Sequence, residues 1–113
     1  MNSAPRTMTE LGLRYLEALA AEATGGVFLE IGPLFGSSTN AIARGRRIAA
    51  PIHTIDTFEA APWVRKRFGV DLDRAVFDKF TAGISDLVVH QGYSPDVVRL
   101  SWEDSIGFYF DDA

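Results

Sequence analysis

Val27-Phe28-Leu29-Glu30-Ile31-Gly32-Pro33-Leu34-Phe35-Gly36-Ser37-Ser38-Thr39 is the stretch that decides the fold. Its first five residues form a nearly continuous apolar run, as expected of a strand covered on both faces in a parallel sheet under helices. Gly32 lets the chain turn sharply and leaves bare backbone for a ligand to lie against. Gly36 allows close packing where the next helix begins, and Ser37 or Ser38 is expected to cap that helix. A helix N-terminus presents unpaired N–H groups and partial positive charge, which suits an anion such as a carboxylate.

Outward from this stretch the chain alternates. Upstream, Thr9 is placed to cap a helix running to about Ala23, with Leu11, Leu13, Tyr15, Leu16, Leu19 and Ala20 as its apolar stripe. Thr24-Gly25-Gly26 ends it. Downstream, the second helix is expected to reach about Ala49, and Pro51 breaks it. Ile52 to Ile55 reads as a second strand ending at Asp56, and 60–72 reads as loop with one turn of helix. Asp73 starts a helix with Val76, Phe77 and Phe80 inward, ending near Gly83. Leu87 to Gln91 reads as a third strand. Ser94 is expected to cap, and Pro95 to open, a short helix to Leu100, followed by a fourth strand from Ile106 to Phe110. Helices alternating with strands predict right-handed crossovers and one parallel sheet, a Rossmann-like α/β/α architecture.

In such sheets ligands bind beyond the carboxyl ends of the strands. Glu30, Asp56, Gln91 and Asp112 each fall at or just past such an end. The glycine spacing is G-x-x-x-G, not the G-x-G-x-x-G of dinucleotide enzymes. The missing middle glycine and the acid at Glu30 both disfavour a pyrophosphate. A ligand bearing an ammonium or sulfonium would welcome that acid. Asp56 lies 20 residues after Gly36, where an acidic residue accepts hydrogen bonds from ribose hydroxyls. Thr57 and Phe58 follow it, and Phe58 is placed to flank a base.

Composition narrows the classes. The 113 residues suit at most one domain, and 47% hydrophobic with 23% charged residues is ordinary for a globular chain. A net charge of −4 is not the footprint of a nucleic-acid binder. The basic runs Arg44, Arg46, Arg47 and Arg65, Lys66, Arg67 read as a helix C-terminus and a solvated face. The absence of cysteine excludes disulfides and thiolate chemistry and fits a cytoplasmic protein. Arg6, Glu10, Arg14, Glu17 and Glu22 break any signal-peptide core, and no apolar run approaches the ~18 residues of a membrane span. His53 and His90 read as packed or edge histidines, and Trp63 and Trp102 as core or rim residues.

Val27 to Thr39, Ile52 to Glu59, Val88 to Ser94 and Ile106 to Ala113 together resemble the successive motifs of class I S-adenosylmethionine-dependent methyltransferases, most of all the macrocin- and catechol-type small-molecule O-methyltransferases. The resemblance covers about residues 10–113. It implies that 1–113 is the N-terminal, cofactor-binding portion of such a domain, ending after the fourth strand, with residues 1–8 a loose leader. It further implies that Glu30, Gly32, Pro33, Gly36 and Ser37 line the methionine moiety, with Ser38 near its carboxylate. Asp56, Thr57 and Phe58 would hold the nucleoside, and Gln91, Gly92 and Ser94 would lie near the adenine edge. Asp112 would be the catalytic acid ending the fourth strand and, in metal-dependent members, a ligand of a divalent cation, usually magnesium. Asp111 stands where the family has an apolar residue, which leaves the register of this pair open by one position.

The implied partner is a small-molecule acceptor, without nucleic acid or membrane. If strand order follows the family, the fourth strand is an edge, and Phe108-Tyr109-Phe110 invites homo-oligomers through it. The competing readings are a non-catalytic module that keeps only the fold or the pocket, and an NAD enzyme, against which the glycine spacing and Glu30 speak.

Overall fold

A computed structural model describes residues 4–59 and 61–112, with residues 99–101 described by their backbone alone. The first three residues of the expected leader, and Ala113, lie outside the described residues. The elements are α1 (Glu10–Ala20), β1 (Val27–Ile31), α2 (Ser37–Gly45), β2 (Ile52–Asp56), α3 (Pro62–Phe68), α4 (Arg74–Thr81), β3 (Leu87–Gln91), α5 (Ser94–Ser101) and β4 (Ile106–Asp111). All strand pairings are parallel, in the order β3-β2-β1-β4. From β1 the sheet grows first toward β3, then β4 adds on the other side. That reversal makes the crevice between β1 and β4 a topological switch point, where ligands of such sheets bind.

Thr9 caps α1 by accepting a hydrogen bond from the Gly12 N–H at 3.0 Å. The stripe that α1 buries is narrower than expected: Leu13, Leu16 and Ala20 face the sheet, while Leu11 and Tyr15 are exposed. Positions three and four apart share a helix face, and neither Leu11 nor Tyr15 falls on this one. The helix also ends at Ala20, three residues early.

Two capping expectations are corrected. The residue before α2 is Gly36, at φ 100°, and no side chain caps the helix. Tyr93, not Ser94, precedes α5, again with no side-chain cap. The second helix ends at Gly45 because Arg46 turns extended; its guanidinium then holds the Ala50 and Ser85 carbonyls at 2.9 and 3.0 Å. The segment expected to be mostly loop contains α3, opened by Pro62 and closed by Gly69 in the left-handed region. With Val64 as its sole buried position, this helix carries little apolar periodicity to read. Asp73 caps α4 as expected, its carboxylate accepting from the Val76 N–H at 2.8 Å.

The core divides in two. Leu13, Leu16 and Ala20 of α1 and Ala41 and Ile42 of α2 pack on Phe28 and Ile52. Phe35, Phe58, Val64, Leu72 and Phe77 form the second cluster beside it. Together they fix α2 and the loop before it against the sheet.

Candidate functional site

The parallel register brings the expected residues to one end of the sheet. The Gly32 N–H donates to the Ile55 carbonyl at 3.0 Å, Gly92 to Asp56 at 2.9 Å, and Asp112 to Ile31 at 3.0 Å. Gly32, Asp56, Gly92 and Asp112 are therefore neighbours across the strand tips. Gly32 at φ 76°, Leu34 at φ 51° and Gly36 at φ 100° make the loop between β1 and α2 turn through three left-handed residues in five. Left-handed backbone at a non-glycine residue costs roughly 1 kcal/mol or more and gathers at ligand sites. Pro33 is fully buried, as is Phe35, whose ring meets Phe68 edge-on at 5.2 Å. The loop is thus anchored from below.

Glu30 is completely buried. Ser38 and Thr39, in the first turn of α2, each donate a hydroxyl hydrogen bond to its carboxylate. Burial pushes the Glu30 carboxyl up to about 7; the two hydroxyls oppose that shift, and the negative charges of Asp112 and Asp56 add to it. Ser38 therefore faces β1 instead of a ligand carboxylate. Thr39 is the partner that sequence reasoning missed, for nothing in a spacing of nine residues marks a strand-to-helix contact. Ser37 begins α2 with its hydroxyl buried and without a hydrogen-bond partner.

At the tip of β2, the Asp56 carboxylate accepts from the Phe58 N–H at 3.1 Å, a tight turn that leaves Asp56 half-exposed. Phe58, expected to flank a base, turns inward at φ 55°; its ring packs on Phe77 at 5.0 Å inside the second cluster. The core claims that ring because the left-handed turn points it away from the strand tips. Thr57 offers its carbonyl toward the Gln91 amide at 3.5 Å. Gln91 is exposed, and Gly92 and Ser94 are half-exposed at the start of α5.

At the tip of β4, alternation places the two acids on opposite faces. Phe108 and Phe110 pack on the side of α1 and α2, and the Tyr109 hydroxyl on the other side donates to the Asp111 carboxylate at 2.9 Å. Asp112 continues the Phe110 side, and its charge acts on Glu30. Its own carboxyl is raised by partial burial and by Asp111. Among the described residues no group of three or more His, Asp or Glu side chains is placed to hold a metal ion. Magnesium requires an oxygen-rich octahedral sphere. The described residues do not make one, and the metal role expected of Asp112 has no partner ligands here.

A groove of about 490 Å³ runs along the helices, lined by Leu13, Arg14, Ser37, Asn40, Arg44 and Phe80 among others. It meets the strand-tip constellation at Ser37 alone, so the chemistry read here does not depend on it. No helix among the described residues is long and apolar enough to cross a membrane.

No family model and no curated protein matches the sequence. Solved structures do match the fold. The O-methyltransferase TomG from Streptomyces achromogenes, involved in tomaymycin synthesis and solved in complex with SAM, has a TM-score of 0.69 and 22% identity over 95% of this chain and 45% of its own. Cofactor-bound Rv0187 from MTB has a TM-score of 0.69 and 22% identity, over 97% of this chain and 47% of its own. The O-methyltransferase from Bacillus cereus in complex with SAH has a TM-score of 0.66 and 23% identity, over 94% and 46%. The fold is thus Rossmann-like, and it is shared with part of these O-methyltransferases. This chain spans slightly less than half the length of those structures.

Proposed function

We propose that this chain is the cofactor-binding portion of an S-adenosylmethionine-dependent methyltransferase, one that methylates an oxygen of a small molecule in the cytoplasm. The observation that carries the reading is the meeting of Asp56, the left-handed loop at Gly32 and the uncapped start of α2 at the switch point of the sheet. The SAM- and SAH-bound O-methyltransferases of similar fold support it.

The residues present suit that cofactor. Gly32, at φ 76°, turns the chain at the strand tips, and Gly36 lets the start of α2 pack against α4. The start of α2, with no side-chain cap, is suited to an α-carboxylate. Asp56 is half-exposed and acidic, as a partner of ribose hydroxyls must be. Gln91, Gly92 and Ser94 border the adenine side. When bound, the cofactor supplies a methyl group already activated on a sulfonium.

The chain's task is then positional: to hold that group rigidly so that an acceptor oxygen can approach in line with the departing sulfur. Asp112 is the candidate to take the proton of the acceptor hydroxyl. Partial burial and Asp111 both raise its carboxyl, the direction that makes it a better base. No step is assigned to magnesium.

Titration calorimetry with S-adenosylhomocysteine and with NADH tests the reading. Binding of the first and not the second, weakened at least tenfold in Asp56→Ala, is expected. Binding of NADH alone would replace it with a dinucleotide enzyme, and binding of neither would leave a non-catalytic module.

A further inference from the structure

The groove along α1 and α2 is walled in part by Ser37, which is only 7% exposed. Its hydroxyl is closed to water and has no hydrogen-bond partner among the described residues. An unpaired buried hydroxyl is costly, and a ligand that accepts from it removes that cost. The walls around it are charged. Helix α1 ends where β1 begins, and α2 begins where β1 ends, so the two helices run side by side in one direction. Ser37 therefore lies toward the start of α1, where Glu10 is shared by two guanidiniums, Arg6 at 3.9 Å and Arg14 at 3.2 Å. At the far end Arg44 meets Glu17 at 3.5 Å. The groove thus sets three cations against two acids, an excess of one positive charge on a chain of net charge −4. Arg6, Arg14 and Glu10 are all more than half exposed, and ion pairs so exposed are weak. Either guanidinium can turn to a ligand at little cost. Leu13 and Phe80 add apolar surface to the same groove. Asn40 fixes that wall, its amide donating to the Gly36 carbonyl at 2.8 Å and to the Phe80 carbonyl at 3.0 Å.

We infer that this groove is a second ligand site, apart from the strand tips, and that it takes a small organic acid: one carboxylate on an apolar body. The carboxylate accepts from the Ser37 hydroxyl and from Arg6 and Arg14, and the body lies along Leu13 toward Phe80. The planar fork of a guanidinium matches a carboxylate, and hydrogen bonds between charged partners are roughly twice as strong as neutral ones. One negative charge matches the excess of one positive charge; a dianion would leave Glu10 repelled. A volume of about 490 Å³ lies within the range of small-molecule sites. The inference does not rest on the cofactor reading. Ser37 contributes its side chain here, whereas that reading uses the backbone at the start of α2.

The experiment is NMR titration of the nitrogen-labelled chain with phenylacetate at neutral pH and low salt, with the uncharged phenylacetamide as its counterpart. Saturating amide shifts are expected at Leu13, Ser37, Asn40 and Phe80, with a dissociation constant of about 1 mM. Phenylacetamide should bind at least about fivefold more weakly, having no charge for the guanidiniums. Arg14→Gln should weaken phenylacetate and leave phenylacetamide unchanged. Ser37→Ala separates a ligand contact from a structural one. It should weaken phenylacetate at least about threefold while raising the urea midpoint of the free chain, because the unpaired hydroxyl is gone. Absence of saturating shifts, equal affinity for the amide, or shifts confined to Gly32, Asp56 and Gly92 at the strand tips overturns the proposal. So does a Ser37→Ala chain that binds phenylacetate as the wild type does. None of these outcomes bears on S-adenosylhomocysteine binding at the strand tips.

Discussion

Gly36 lies so close to Thr81 that a Cβ built on it would stand 2.6 Å from the threonine Cγ2. This contact between the start of α2 and the end of α4 sets how the loop after β1 meets the second core cluster. Gly36 is also at φ 100°, where an L side chain is strained whatever the space. Gly36→Ala is expected to destabilise the protein by about 2–3 kcal/mol, from the strained backbone together with the overlap. Thr81→Ser removes Cγ2 while keeping the hydroxyl that donates to the Phe77 carbonyl at 2.8 Å. Added to Gly36→Ala, it should recover the part of the loss due to overlap and none of the part due to φ. Urea midpoints of the four proteins of this cycle measure the split; strict additivity would show that the two residues do not interact.

Glu30 gives the ligand-free protein a pH dependence of definite sign. Its folded value of about 7 lies above the 4.5 of an unperturbed carboxyl. The folded state therefore holds the proton more tightly than the unfolded chain. That contribution is complete below about 4.5 and is lost as pH rises through about 7, a change on the order of 3 kcal/mol. Glu30→Gln should flatten this dependence. Chemical denaturation of both proteins at pH 5 and pH 8 tests it, and equal slopes would show that Glu30 is not the group responsible.

A second pair of titrating groups acts in the opposite direction. His53 Nδ1 lies 2.9 Å from His90 Nε2, and the edge of Trp102 closes over the two stacked rings, with centroids 4.7 Å and 6.0 Å away. Burial lowers both histidines below 6.5; the pair's mutual repulsion lowers His53 further, and Asp104 works against that. Groups depressed in this way contribute stability that is present above about 6.5 and lost as pH falls through their folded values. His90→Gln should therefore reduce acid destabilisation below pH 6.5, the reverse of the effect of Glu30→Gln. Trp102 fluorescence against pH reports the same event, and a signal unaltered by His90→Gln would refute the assignment.

The free side of β4 makes a prediction about association. In the described structure β4 pairs with β1 alone, and Tyr109 and Ile106 are exposed on it. An unpaired edge with apolar side chains is a template for another strand. Dimers are expected in sedimentation at micromolar concentration. Tyr109→Lys should weaken them about tenfold or more, some 1.4 kcal/mol. A wild-type monomer throughout that range would sink this expectation.

The alternation of strands and helices, the parallel sheet and the meeting of Gly32, Asp56, Gln91 and Asp112 at one end were all readable from the chain, because each depends on local periodicity and on the two-residue repeat of a strand. Thr9 and Asp73 were legible as caps for the same reason, as short polar side chains just before an apolar pattern. What depends on contacts between distant segments was not legible. Ser37 and Ser38 look like caps in sequence, yet Ser38 turns to Glu30 because packing of α2 on β1 buries a carboxyl within reach of its hydroxyl, and a buried carboxyl needs hydrogen-bond partners. Phe58 looks like a ligand contact, yet the core takes its ring once Asp56 and the left-handed turn set its direction. The faces that Asp111 and Asp112 take became visible only when β4 aligned with β1 and the alternation was pinned by Phe108 and Phe110. Sequence periodicity names the elements and the end of the sheet where a ligand belongs; burial and packing, which no single segment encodes, decide which side chains remain free to meet it.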